Sequence, residues 1–326
     1  MKKKINVALV GSNFAMKGYL PVILNNQNLN LKIICSRNIF KKNNILNLNN
    51  FILEKKWQKV FKNYIDLIIC VVPPKLQEKI IKYNYKFKKK IIIEKPISSN
   101  YSTSKKIVRN IIKKKIKSVI NLTFLYHPVF LKLKKIILNK NLGKIKSYNI
   151  KWSFVSHDYN KKIKSWKVQE ELGGGIKNIF LTHVLSYCEY LFGKNTLLNF
   201  QRKVMKFKNI KYINKINCEM INNNSVKGGI LIETKRSGFQ NHIVEVNFEK
   251  GKILISNKSK DWSKNFKIKI INHNKNKKIL KNTFRKNYKD GRSLQIDYLI
   301  NKFINNPYFN NLNYCLNAEK IINRIK

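Results

Sequence analysis

Acidic side chains are scarce in this chain: 16 Asp and Glu stand against 68 Lys and Arg in 326 residues. With so few carboxylates, no pair or cluster has the spacing of a hydrolytic acid/base site. Five cysteines, Cys35, Cys70, Cys188, Cys218 and Cys315, form no CxxC motif and no disulfide-dense cluster. Nor does any Cys/His grouping have metal-ligand spacing, so no metal is expected. Cys35 and Cys70 lie in apolar runs, where a free buried thiol is the plain expectation, in keeping with a reducing cytoplasm. Long hydrophobic runs are missing too. No stretch approaches the roughly 18 uninterrupted apolar residues of a membrane span. The opening "MKKKINVALVG" runs into Gly11-Ser12-Asn13 too early for a secretory signal. These absences together lead us to expect a soluble, cytoplasmic protein with no membrane association.

What is abundant is positive charge, formally +52, in a chain that is still 43% hydrophobic and 11% aromatic. That apolar content excludes a disordered polycation. Charge of this size invites a nucleic-acid reading. However, the lysines are scattered along the whole length and gather in no single arm or patch. Lys, Asn and Ile dominate throughout, and all three have A/T-rich codons, so compositional drift explains the charge without a specific nucleic-acid partner. Salt-sensitive, non-specific attraction to polyanions is still expected.

Up to about residue 120, short apolar runs alternate with amphipathic ones. Residues 5–11, 31–36, 65–72, 90–94 and 117–124 read as strands, and 16–27, 38–49, 75–88 and 101–115 have helical spacing. Strands apolar on both faces and separated by helices indicate a parallel, doubly wound sheet. A further helix at about 126–140 ends near Gly143. After another at about 175–192 come consecutive alternating runs: "LLNFQRKVMKF", "KYINKINCEMI", "VKGGILIETKR", "HIVEVNFEKGKILIS" and "FKIKIIN". Hairpin-length gaps between them predict a large, open, mostly antiparallel sheet. Helical spacing returns at 291–304 and 314–325. The expected fold is therefore α/β: a Rossmann-type doubly wound domain over 1–122, then an α+β domain over 123–326, whose last helices can pack back on the first.

The first strand runs into "GSNFAMKG" and a helix, the place where a dinucleotide-binding fold sets its phosphate turn. Gly11, Ser12, Asn13, Phe14 and Ala15 are the candidate phosphate-turn residues. Asn13 stands where the fingerprint has its second glycine, and Asn is the non-glycine residue that best tolerates a left-handed backbone. With glycines missing, an ordinary strand–turn–helix reads equally well. The second strand ends Cys35-Ser36-Arg37. There NAD-preferring domains carry an acid for the ribose, whereas a hydroxyl followed by a guanidinium suits a 2′-phosphate. This favours NADP over NAD, against the plain alternative that Arg37 is one more surface cation. Val72-Pro73-Pro74 and Gln77 follow the third strand and are candidates to line the cofactor, although a proline also simply starts helices. Asn121, at the end of the fifth strand, lies where open α/β sheets contact ligands. His157 and Trp166 precede Gly173-Gly174-Gly175 and are candidates for a sugar pocket, where rings stack on sugar faces. A loop tryptophan is as often simply packed.

Taken in order, Gly11 to Pro21, "VVPPKLQ" at 71–77, "EKPIS" at 94–98, "LGK" at 142–144 and "ELGGGIKNIFLTHVLSYCEYLFG" at 171–193 resemble the Gfo/Idh/MocA oxidoreductase family. The resemblance implies a pyridine-nucleotide dehydrogenase, using NADP or NAD, that acts on a sugar, a sugar nucleotide or a cyclic polyol. It implies that Lys95 lies beside the nicotinamide and the substrate hydroxyl, with Glu94 at the cofactor, and that His183 is the acid/base. The chemistry is coherent. Alcohol oxidation sends hydride to the nicotinamide, imidazole can take the hydroxyl proton, and an ammonium stabilises the developing alkoxide. One departure stands out: the family's aspartate, one helical turn before that histidine, is Ile179 here. A catalytically reduced cofactor-binding protein, or a reductase that does not depend on His183, thus remains an alternative. The open sheet is the expected face for a homodimer or homotetramer. Replacing Arg37 by alanine should weaken NADPH binding by about tenfold, the loss of one charge-assisted phosphate contact, and leave NADH binding unchanged in fluorescence titrations.

Overall fold

A computed structural model describes residues 3–37, 51–161, 163, 165–207, 210–235, 237–259, 261, 263–272, 277–280 and 288–325. Two compact units result, Met1–Leu122 with Lys286–Leu316, and Thr123–Arg285 with Asn317–Lys326.

The first unit holds six parallel strands: β1 (Ile5–Gly11), β2 (Leu29–Cys35), β3 (Ile52–Glu54), β4 (Leu67–Val71), β5 (Lys90–Ile93) and β6 (Ser118–Ile120). Their order is β3-β2-β1-β4-β5-β6, the doubly wound arrangement in which the winding reverses between β1 and β4. Val7–Val10, Leu67–Cys70 and Ile91–Ile93 are all within 2% of full burial, as strands covered on both faces must be. The helical elements are a wide π turn (Ala15–Tyr19) leading into α1 (Leu20–Leu24), then α2 (Pro74–Phe87) and α3 (Tyr101–Lys113). Strand β3 was not expected: it is three residues long, too short to show a period, and pairs Ile33 with Ile52. The helix expected at 38–49 lies outside the described residues.

The second unit begins with α4 (Pro128–Asn139), β7 (Ile145–Val155) and the short α5 (His157–Asn160). A second π turn (Lys177–Leu181) then leads into α6 (Thr182–Phe192). Strands β8 (Asn195–Phe207), β9 (Ile210–Asn222), β10 (Lys227–Lys235), β11 (Asn241–Phe248), β12 (Gly251–Asn257), β13 (Lys267–Asn272) and β14 (Lys277–Leu280) follow. Together with β7 they form one sheet of eight, ordered β14-β13-β12-β11-β7-β10-β9-β8. Every neighbouring pair is antiparallel except β7 with β10. β7, which lies inside the sheet between β11 and β10, is not among the strands expected from the sequence. Its alternation is nevertheless regular, with Tyr148, Ile150, Trp152 and Phe154 buried between exposed Lys146, Asn149 and Lys151. α7 (Arg292–Asn305) and α8 (Leu312–Ile322) close the chain. α7 belongs with the first unit, where Ser293 Oγ donates to the Gly18 carbonyl at 2.9 Å.

The buried face of β7 meets an aromatic cluster that contains two histidines. His242 stacks on Trp152 with centroids 4.6 Å apart, and its Nε2 lies 3.0 Å from the Tyr187 hydroxyl. His127 caps α4, its Nδ1 accepting from Val129 N–H, and its ring meets Phe266 edge-on at 4.9 Å. Burial depresses both histidines to about 3, partly opposed at His127 by a bond to the Ser263 backbone and reinforced at His242 by His127. A depressed histidine is neutral when folded, whereas the unfolded chain takes up its proton below about 6.5. Stability therefore falls as pH drops from about 6.5 towards 3, by about 1.4 kcal/mol per histidine per pH unit. Urea midpoints measured between pH 7 and 4 should fall steeply in wild type and less steeply in His242→Gln.

Candidate active site

At the end of β1, Gly11 has φ +136°, and a Cβ there would sit 2.1 Å from the Val71 carbonyl oxygen. Only glycine lets β1 and β4 pass this closely just where the winding reverses. Asn13 takes φ 28°, the positive backbone that its residue type tolerates. Ala15 N–H closes the turn on the Ser12 carbonyl at 2.7 Å. Phe14 folds its ring over Gly18, where a Cβ would lie 2.4 Å from the ring. Arg292 caps that ring at 3.9 Å and is itself held by Asp290, Nε to Oδ1 at 2.9 Å and Nη2 to Oδ2 at 2.6 Å. This turn fits a dinucleotide: a tight glycine cradle followed by a helical run.

Ser36, buried after β2, donates its N–H to the Glu54 carbonyl at 2.9 Å, and Arg37 is exposed. Glu54, at the end of β3, stands beside Cys35 in register and pairs with Lys59 at 3.3 Å. An acid is thus present near the end of β2, supplied by a strand too short to recognise in the sequence.

α2 starts at Pro74, its first helical residue, after Pro73 in extended geometry. Its first turns then hold the loop after β5. Gln77 is 1% exposed. Its Nε2 donates to the carbonyls of Glu94, Pro96 and Ile97 at 2.8, 3.0 and 3.1 Å, and its Oε1 accepts from Glu94 N–H at 2.9 Å. Glu78 accepts from the N–H and hydroxyl of Ser99, both at 2.9 Å. The Lys95–Pro96 peptide is cis. Gln77 is thus committed to main chain, and what it positions is Lys95.

Glu94 is partly exposed, but one side of its carboxyl group is fully occupied. Oε1 accepts from the Tyr19 hydroxyl at 2.6 Å and from Asn121 Nδ2 at 2.9 Å. Burial raises the carboxyl above the usual range, while those two hydrogen bonds and the positive fields of Lys95 and Arg292 pull it down. The Tyr19 phenol is pushed well above its ordinary value, chiefly by burial and then by the Glu94 charge. Tyr19 therefore stays protonated and donates. No feature of its sequence position announced this role.

In the second unit, the triple glycine brings the loop of Trp166 against the helix of His183. A Cβ at Gly174 would lie 2.1 Å from the Trp166 carbonyl oxygen, and Gly173 and Gly175 have φ +83° and +80°. Lys177 pairs with Glu170 at 2.8 Å across the same junction. His183 is 4% exposed and meets Phe124 edge-on at 5.4 Å. The segment before it is not regular: Thr182 N–H bonds the Lys177 carbonyl, the i to i+5 ring of a π turn. Residues five apart then share a face as well as those four apart, which brings Asn178, not only Ile179, towards the His183 side. The Asn178 amide donates to the Gly174 carbonyl at 2.7 Å. His157 is exposed and engages Asp158 at 3.3 Å, and Trp166 is half-buried. A cavity of about 800 Å³ lined by Gln169, Glu171, Arg202, Lys211 and Tyr212 contains none of the expected site residues.

Within the first unit, the structure gathers Gly11–Ala15, Val72–Gln77, Glu94, Lys95 and Asn121 at the carboxyl ends of β1, β4, β5 and β6. A model of the oxidoreductase family's NAD-binding Rossmann fold (GFO_IDH_MocA) matches residues 5–121, and its C-terminal alpha/beta domain matches residues 134–308. The chain belongs to the Gfo/Idh/MocA oxidoreductase family. It is an NAD(P)-binding oxidoreductase. No curated protein sequence matches it. Among solved structures, levoglucosan dehydrogenase in complex with NADH and levoglucosan is 14% identical, with TM-score 0.82 over 99% of this chain and 96% of that one. KijD10, a 3-ketoreductase from Actinomadura kijaniata in complex with NADP and TDP-benzene, is 13% identical, with TM-score 0.78 over 98% and 96%. Biliverdin reductase from Synechocystis sp. PCC 6803, in complex with biliverdin and NADP+, is 14% identical, with TM-score 0.77 over 98% and 97%. At these identities the likeness is one of fold. Among the described residues no helix is long and apolar enough to cross a membrane.

Removing the Gln77 amide leaves several buried main-chain groups unpaired. Gln77→Ala should cost about 2–4 kcal/mol in urea denaturation and weaken NADPH binding, and Gln77→Glu, which keeps the acceptor but sets a second oxygen against three carbonyls, should cost at least as much.

Proposed function

We propose that the protein interconverts a secondary alcohol and its ketone on a sugar, sugar nucleotide or cyclic polyol, with NADP favoured over NAD. The observation that carries this reading is Lys95 at the carboxyl end of β5, clamped by Gln77 beside a glycine cradle fit for a dinucleotide. When bound, the nicotinamide accepts or returns the hydride. Lys95 holds the substrate oxygen and stabilises its developing negative charge. His183 takes the hydroxyl proton in oxidation and returns it in reduction. Trp166, brought in by the triple glycine, lines the sugar side, and His157 and Asn121 complete the substrate contacts. Ser12 to Ala15 hold the pyrophosphate, Ser36 and Arg37 the 2′-phosphate, and Val72 to Pro74 border the nicotinamide side. The likeness in fold to levoglucosan dehydrogenase supports the carbohydrate class, and that to a 3-ketoreductase supports the alcohol–ketone step. The five cysteines, all free and buried, fit a cytoplasmic setting. We read the open face of the eight-stranded sheet as the contact between copies in a dimer or tetramer.

A second reading is favoured by Ile179, which gives His183 no carboxylate one turn away. In it the protein binds cofactor with reduced turnover, or works as a reductase through Lys95 alone. Titration with NADPH and NADH at moderate salt, followed by a panel of sugars, separates the two. Under the first reading, Lys95→Ala and His183→Ala each keep cofactor binding within about threefold and lower kcat by about 10²–10⁴. Normal turnover in His183→Ala decides for the second. If neither cofactor binds, both fail.

A further inference from the structure

Resting on the proposed place of the nicotinamide beside Lys95, we propose that the Glu94 carboxylate is the counter-charge for the oxidised, cationic nicotinamide and sets the preference for oxidised over reduced cofactor. The two redox forms differ at the ring by one positive charge. The charged side chains of the first unit that act on Glu94 are Lys95 from its own loop and Arg292 from α7, itself held by Asp290. Both are cations, in a chain of net charge +52. With Arg292 paired to Asp290, the charge nearest the ring without Glu94 would be that of Lys95, and the oxidised ring would be disfavoured against the neutral reduced one. The remaining neighbours are neutral: Tyr19 from the turn after β1, Asn121 after β6 and Cys70 on β4, whose thiol burial and the Glu94 charge push upward. Two neutral donors fix the carboxylate through Oε1 without cancelling its charge. Oε2 takes no hydrogen bond or ion pair among the described residues, on a side chain that is partly exposed. That is the arrangement of a held charge available to a ligand.

The test compares dissociation constants for NADP+ and NADPH, by fluorescence and calorimetric titration of the full chain, for wild type, Glu94→Gln and Tyr19→Phe. In Glu94→Gln the ratio of the oxidised to the reduced constant should rise about five- to thirty-fold, with the NADPH constant little changed. In wild type the same ratio should rise as pH falls and Glu94 takes up its proton, while in Glu94→Gln it stays flat. Tyr19→Phe removes one donor that favours the charged form, so this rise should begin at higher pH than in wild type. An unchanged ratio in Glu94→Gln overturns the proposal and leaves the carboxylate as a packing element. If Glu94→Gln does not fold, an unshifted profile in Tyr19→Phe overturns it equally. Failure of wild type to bind either form overturns the proposed function itself, a different result from binding with an unaltered ratio.

Discussion

A single side chain amide carries the geometry of the candidate site. Gln77 meets the Glu94 backbone in both directions, donating to its carbonyl at 2.8 Å and accepting from its N–H at 2.9 Å, and reaches two further carbonyls beyond Pro96. The strand ladder of β5 ends at Ile93, and the chain must leave it with no regular partner for its polar groups. Gln77 supplies those partners from the second turn of α2, which Pro74 starts at a fixed place after β4. The direction of Lys95 is therefore set by a helix start one helix and one strand upstream, and the Glu94 carboxylate is set by Tyr19 from the turn after β1 and by Asn121 just after β6.

Much of this frame was legible in the residues because it rests on chemistry that leaves a pattern. The apolar runs of β1, β4 and β5, the proline before α2, and the Glu94-Lys95-Pro96 step at a strand end each mark a position by type and spacing. The open sheet was legible as a series of alternating runs. β7 alternates by the same rule, but it stands apart in the chain, separated from its sheet neighbours by the loop and helix that follow it. β3 left no period to detect. The π turn before His183 is invisible to a rule built on 3.6 residues per turn, and with it the place of Asn178.

Gln77 shows a different limit. Its residue type and location made a cofactor contact a reasonable expectation, but an amide can serve main chain as well as ligand. Only the paired distances to residue 94 distinguish the two. Tyr19 is the converse case: a tyrosine on a helical turn reads as packing, and its 2.6 Å bond to a carboxylate becomes visible only when β1 and β5 are set in one sheet.

The scarcity of acids turns into information once the fold is known. In a background where a lysine marks nothing, the few carboxylates are engaged one by one. Asp66 accepts from the N–H of Asn6, Glu249 from that of Lys144, and Asp261 from that of Ser263. Glu78 ties the Ser99 loop, Glu170 the triple-glycine junction through Lys177, and Asp290 the arginine over the Phe14 ring. These are contacts in which a carboxylate accepts from main chain or pairs with a placed cation, where it contributes more than an exposed surface pair. Glu94 differs from them in its place. Its two hydrogen-bond donors, Tyr19 and Asn121, hold it at the carboxyl end of the parallel sheet, just after β5, where open α/β sheets bind their ligands. Keeping that carboxylate ionised costs free energy of burial, and the Tyr19 and Asn121 donors with the fields of Lys95 and Arg292 are what oppose that cost.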